Sequence, residues 1–205
     1  MATDVVAQKE NYLPDYRFYH NNSAITKTVQ SLVAKFPSLI EDFSQIFKSR
    51  KLNSQHVLRV TNHLQKVSNQ NEKVKILLSF GEHAREFLSV ESAIDLIERL
   101  VDSENHEIDL TKLDIYVIVN ANPDGRLYVE ETGNFCWRGT STGVDINRNF
   151  DWEFGGPGSS GNISDEEYRG PHAFSGIFCN PNALNVHCTD NTIHNVNRRW
   201  LTQKK

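Results

Sequence analysis

Two apolar runs, residues 74–80 and 113–119, bracket a segment in which Val90, Ala93, Ile94, Ile97 and Val101 recur at helical spacing. A strand, helix, strand order of this kind closes as a right-handed crossover in an α/β sheet. Both runs are apolar enough to read as strands buried on both faces. The crossover also says where chemistry should gather, because ligands bind beyond the carboxyl ends of such strands. Two segments leave the sheet at that edge: His83-Ala84-Arg85-Glu86 after the first run, and residues 120–125 after the second.

Around this unit the chain reads as follows. Ile25, Val29, Leu32, Val33 and Phe36 place a core-facing helix over residues 23–36, with Ser23 as the expected cap and Pro37 as the stop. Residues 43–47 and 56–61 read as the strands of a hairpin around the polar turn 48–54. Asn122-Pro123-Asp124-Gly125 reads as a type I turn that supports the edge without chemistry of its own, and residues 155–161 as an exposed Gly/Pro/Ser loop. From Gly176 onward asparagines accumulate and apolar periodicity stops, so a poorly ordered tail is expected over 176–205.

The charge balance narrows the partners. With 22 Lys and Arg against 26 Asp and Glu, the net charge of -4 offers no electrostatic footprint for nucleic acid and no basic face for a membrane. Residues 1–10 lack the apolar stretch of a secretory signal, and no run has the length of a membrane span, so the chain as written is expected to be soluble. Three cysteines, Cys136, Cys179 and Cys188, cannot close a disulfide framework, and no CxxC pair marks a structural zinc site. Compartment stays undecided.

A His and a Glu three residues apart can bite one zinc ion from a single turn, which makes His83 and Glu86 the first candidates for chemistry. Downstream follow Asn122-Pro123-Asp124-Gly125-Arg126, then Trp137-Arg138, then Gly143-Val144-Asp145-Ile146-Asn147-Arg148-Asn149-Phe150. In order and approximate spacing these motifs resemble the zinc metallocarboxypeptidases of the carboxypeptidase A type, peptidase family M14. The resemblance implies an α/β fold with a mixed, largely parallel central sheet flanked by helices, incomplete at the C-terminus, and an activity that releases C-terminal amino acids from peptides or proteins with a Zn2+ cofactor. It implies that His83 and Glu86 ligate zinc, that Arg138 stabilises the oxyanion at the scissile carbonyl, that Asn147 and Arg148 grip the free C-terminal carboxylate, and that Arg85 touches the substrate further upstream. The residue chemistry agrees: a guanidinium donates well to a developing oxyanion, and its planar fork pairs bidentately with a carboxylate.

On this reading residues 1–14 are an N-terminal extension, 15–175 a partial catalytic domain and 176–205 a divergent tail. The family's third zinc ligand, a later histidine, and its general-base glutamate have no matching position. His172, His187 and His194 are weak substitutes, and Glu166 and Glu167 read as surface charge. The partners expected are peptide or protein C-termini, with a monomer as the expected state. Most members of the family are extracellular, against the missing signal. The alternative function is a module that binds peptide C-termini without cutting them, or an inactive truncated product. Gly139-Thr140-Ser141-Thr142-Gly143 mimics a serine nucleophile elbow but lacks the strand before it and the helix after it.

Overall fold

The computed structural model describes residues 14–64, 73–102 and 108–176. The tail expected over 176–205 therefore lies, beyond Gly176, outside the described residues. The first helix, α1 (Asn22–Lys35), buries Ile25, Val29 and Leu32 along one stripe. Its cap is Asn21 rather than Ser23: the Asn21 side chain accepts from the Ala24 N–H at 2.8 Å. The last turn closes with the Phe36 N–H on the Leu32 carbonyl, immediately before Pro37.

The hairpin forms, but its first strand lies upstream of residues 43–47. Strand β1 (Ile40–Asp42) runs antiparallel to β2 (Val57–Val60), with Ile40 opposite Val60 and Asp42 opposite Leu58. Asp42 ends the strand, because its carboxylate accepts the Ser44 N–H at 2.7 Å while the N–H groups of Ile46 and Phe47 turn back onto the Phe43 carbonyl. Bonding of a short polar side chain to the neighbouring backbone offers the chain a turn in place of a ladder.

The crossover is present as β3 (Val74–Ser79), α2 (Phe87–Val101) and β4 (Leu113–Ile118). β3 and β4 run parallel, from Val74 opposite Leu113 to Ser79 opposite Ile118, and β4 pairs antiparallel with β2. The strand order is β1-β2-β4-β3. The sheet is mixed and flanked by helices, and among the described residues only the crossover pair is parallel. Leu58, Val60, Ile115, Val117 and Val119 join the α1 stripe and Val90, Ala93, Ile94, Ile97 and Val101 of α2 in one apolar cluster. Some of the alternate strand positions are charged: Arg59 reaches Asp114 at 2.9 Å and Glu41 at 3.2 Å.

β3 departs from the expectation of a fully buried strand. Ile76 and Leu78 pack against the core, but Val74 and Leu77 are exposed, at 60% and 37%. The reason is positional. β4 covers one edge of β3, and no strand among the described residues covers the other.

The Asn-Pro-Asp-Gly segment is the start of a helix rather than an isolated turn. In α3 (Pro123–Thr132) the cap Asn122 accepts from the Gly125 N–H at 2.9 Å, and Pro123 occupies the first turn, where its missing N–H is harmless. A Cβ at Gly125 would collide with the Gly139 carbonyl and the Asn122 amide, so glycine permits the close approach. Asn122 also donates to the Glu82 and Gly139 carbonyls, each at 3.0 Å. One side chain thus ties three loops together. Asp124 binds the hairpin turn through the Lys51 N–H at 3.0 Å, the Asn53 amide at 2.8 Å and the Ser49 hydroxyl. Arg126 is buried, stacked 3.3 Å from the Phe87 ring centroid, and donates to the His20 carbonyl at 2.6 Å and to Glu130 at 3.0 Å.

Two stability predictions follow from these contacts. Asn122→Ala strips partners from a buried N–H and two carbonyls, and should lower unfolding stability by about 1–3 kcal/mol in a urea titration. His56 is buried with a left-handed φ of 50°; its Nε2 lies 3.0 Å from the Thr26 hydroxyl and its Nδ1 has no partner among the described residues. Burial holds its pKa below the ordinary 6.5, with Asp42 opposing and Lys48 adding to the shift. The unfolded chain takes up that proton near pH 6.5 and the folded chain only lower, so stability should fall as pH drops below about 6.5. The urea midpoint measured from pH 7 to 5 should decline, and His56→Asn, which tolerates the left-handed backbone, should flatten that decline.

Candidate metal centre and its arginines

The chain turns sharply at the end of β3. Gly81 has φ 70°, its N–H donates to the Ser89 hydroxyl at 3.0 Å, and a Cβ there would press on Asn120 and Val90. The next residues form one turn, closed by the Glu86 N–H on the His83 carbonyl at 3.1 Å, and α2 begins at Phe87. His83 and Glu86 therefore share a turn as their spacing predicts. His83 Nδ1 faces Glu86 Oε1 at 2.8 Å, with His83 9% exposed and Glu86 49%.

The other imidazole nitrogen is engaged by a residue that the motif reading passed over. Asp145 is fully buried, and its Oδ1 lies 3.1 Å from His83 Nε2 while its Oδ2 accepts from Arg138 Nε at 2.9 Å. Oδ1 also accepts the Asn147 N–H at 2.8 Å. Burial alone would raise the Asp145 pKa, but the hydrogen bonds and charges of His83 and Arg138 hold it below the ordinary carboxylate value. For His83, burial works against the charged ring and the Arg138 charge adds to that. The Asp145 hydrogen bond and the Asp145 and Glu86 charges outweigh both, and the pKa is raised.

This arrangement suits a metal. A histidine that ligates through one nitrogen usually has the other fixed by a carboxylate or carbonyl, which sets tautomer and ring orientation. His83 and Glu86 fit zinc as two of the three protein donors that catalytic sites use. Among the described residues no group of three or more His, Cys, Asp and Glu could hold a metal ion. His187 and His194 lie outside the described residues, and His172 is exposed with Nδ1 against the Ala173 carbonyl at 3.0 Å.

Three arginines surround or extend this turn in different states. Arg138 is attached twice: its carbonyl accepts the Ala84 N–H at 3.0 Å, and its side chain lies along Asp145 with Nη1 3.6 Å from Glu86. Arg148 sits with Asn147 on a single 3-10 turn, Ile146–Arg148, capped by Asp145. Its Nε donates to the Gly158 carbonyl at 2.7 Å and its Nη1 to the Asn147 carbonyl at 3.3 Å, and no carboxylate among the described residues pairs with it. Arg85 donates to the Cys136 carbonyl at 2.9 Å and to both oxygens of Glu166, at 3.3 and 2.8 Å. Glu166 is therefore not the plain surface charge expected, and Arg85 holds its pKa below the usual value. Glu167 offers its carbonyl to the Ser160 N–H at 2.9 Å.

The serine-elbow mimic is a tight turn. The Thr140 N–H bonds the Val144 carbonyl at 2.9 Å, no strand precedes it and the 3-10 turn follows, so the required strand and helix are both lacking there.

Comparison with known proteins places the sequence and the fold in one family. The sequence model of the zinc carboxypeptidase family, peptidase family M14, matches residues 25–203, past the point where the quoted motifs end. Mouse (Mus musculus) carboxypeptidase A2 is 30% identical over 167 residues, covering 75% of this chain and 37% of the mouse protein. Zinc carboxypeptidase A 1 of Drosophila melanogaster is 37% identical over 117 residues, 53% of this chain and 27% of that protein. Among solved structures, carboxypeptidase A from Helicoverpa armigera matches with a TM-score of 0.65 at 26% identity, over 77% of this chain and 39% of that one. Bovine thrombin-activatable fibrinolysis inhibitor, in complex with tick carboxypeptidase inhibitor, shares the fold with a TM-score of 0.70 at 21% identity, over 91% of this chain and 58% of that one. The chain spans well under half the length of the curated relatives it matches. Since the family model covers most of its residues, the chain belongs to the zinc carboxypeptidases.

Proposed function

We propose that this chain carries part of a metallocarboxypeptidase site, in which His83 and Glu86 hold zinc and Arg138, Asn147 and Arg148 hold the C-terminal end of a peptide. The observation that carries the reading is the imidazole of His83, fixed through Nε2 by buried Asp145 and facing Glu86 through Nδ1. When bound, zinc lowers the pKa of a coordinated water to about 7 and so supplies a nucleophile at neutral pH.

The chain's own residues do the rest. With a metal in place, Asp145 accepting from Nε2–H would hold His83 in the tautomer that leaves Nδ1 unprotonated for it. Arg138, anchored through Nε on Asp145, keeps Nη1 beside Glu86, where negative charge on a scissile carbonyl oxygen would develop. Arg148 suits the substrate's terminal carboxylate because its backbone contacts satisfy Nε and Nη1 without supplying an anion. Asn147, exposed beside it, can donate an amide hydrogen to the same group.

The second reading is a module that binds peptide C-termini without cutting them, and the two-donor set among the described residues favours considering it. Release of C-terminal amino acids that stops on chelation supports the enzyme. Carboxylate-dependent binding without release supports the module.

Two measurements test the assignments. Equilibrium dialysis should show zinc binding abolished in His83→Ala and weakened about 10- to 100-fold in Asp145→Asn, the usual consequence of losing an orienting partner. Unchanged zinc affinity in both variants would remove the pair from the metal site. For the carboxylate clamp, one peptide in acid and amide forms is titrated against the wild type and Arg148→Ala. The wild type should favour the acid by about tenfold or more, since a charge-assisted hydrogen bond contributes about 1.5–3 kcal/mol, and Arg148→Ala should lose that preference. Equal affinity of the wild type for both forms would sink the clamp.

A further inference from the structure

Arg85 is the cation assigned to the upstream part of the peptide, yet it does not stand free. Both of its terminal nitrogens are engaged, Nη1 by the Cys136 carbonyl and by one oxygen of Glu166, and Nη2 by the other oxygen. Glu166 lies 81 residues away in sequence and reaches Arg85 from a loop whose backbone is bonded at several points. The Ser160 N–H donates to the Glu167 carbonyl at 2.9 Å, the Arg169 N–H to the Ser160 carbonyl at 2.9 Å, and the Tyr168 N–H to the Asp165 carbonyl at 3.2 Å. The Ser160 hydroxyl adds a bond to Asp165 at 2.5 Å. The same loop is joined to the centre of the site, because the Asp145 N–H donates to the Tyr168 carbonyl at 2.8 Å. Glu166 is thus carried on a built support.

From this geometry we infer that Glu166 is a specificity-determining residue of the upstream subsite, disfavouring acidic and favouring basic side chains on the peptide there. The inference rests on the substrate-facing role given to Arg85. An acidic side chain meets a guanidinium already paired with a carboxylate, and must either displace Glu166 or lie against it. A basic side chain meets a carboxylate that remains 58% exposed and has lone pairs left after its two bonds to Arg85, so it can join the pair without breaking it. The subsite therefore presents a neutral pair with an acidic outer face, where Arg85 alone would present a cation.

The test uses the full chain with zinc chloride and three fluorescent peptides that share a C-terminal leucine and differ only in the residue before it: Lys, Ala or Glu. Affinities are read by anisotropy for the wild type, Glu166→Gln and Glu166→Lys, with far-UV circular dichroism confirming that each variant is folded. The wild type should bind the Lys peptide about two- to fivefold more tightly than the Glu peptide, the range expected for one solvent-exposed ion pair, and the ratio should shrink at high salt. Glu166→Gln should bring the ratio to one or below, and Glu166→Lys should invert it. A purely structural role would weaken all three peptides alike and leave the ratio where it was, which would overturn the inference. So would a wild type that binds the Glu peptide as well as the Lys peptide. The C-terminal amides of the same peptides report separately on the carboxylate clamp: loss of the acid-over-amide preference with the Lys-over-Glu preference intact refutes the clamp and leaves Glu166 standing, and the converse refutes Glu166 alone. Absence of binding by all three peptides refutes both.

Discussion

The site is organised by one carboxylate removed from water. Asp145 has no exposed surface, and a buried charge of this kind is tolerated only when its lone pairs are satisfied. Here an imidazole, a guanidinium and a backbone N–H satisfy them, and these come from three different segments: the turn after β3, the loop after α3 and the 3-10 turn itself. Removing any one donor leaves the other two working against an underpaired anion, so the three segments depend on one another for position. Asn122 performs the neutral counterpart of this task, holding the Glu82 and Gly139 carbonyls at the back of the same loops.

The three arginines show how a shared residue type is divided among tasks by its partners. Arg138 is bound to Asp145 through Nε and keeps Nη1 beside Glu86. Arg148 is steadied by carbonyls only, which orient it without neutralising it. Arg85 is neutralised outright by Glu166. A count of positive residues near the site would treat the three as equal; their hydrogen-bond partners separate them.

Periodicity made the helices legible, since Ile25, Val29 and Leu32 and the α2 stripe are buried as their spacing requires. The crossover and the placement of His83 and Glu86 at its edge were legible for the same reason. Errors came where a polar side chain competed with the backbone. Asn21 took the cap expected of Ser23, Asp42 ended a strand ahead of residues 43–47, and Asn122 turned an apparent type I turn into a helix start. β3 misled in another way, because apolar content reports what a strand can bury and not whether a neighbour is there to bury it. Within the candidate site, motif resemblance named His83, Glu86 and the arginines. The partners of those residues, Asp145 at a separation of 62 residues and Glu166 at 81, were set by tertiary pairing, which carries no local signal; Asp145 stood inside a quoted motif without a visible task.

The two candidate metal donors differ in their surroundings. The ring of His83 is enclosed and tethered at its far nitrogen, whereas the Glu86 side chain is half exposed at the cap position of α2, where it makes no capping bond. The Glu86 carboxylate rests 2.8 Å from His83 Nδ1 and 3.6 Å from Arg138 Nη1, so a cation entering between the two donors would have to part that pair. The enclosed histidine would then be the fixed donor of the pair and the half-exposed glutamate the one that moves.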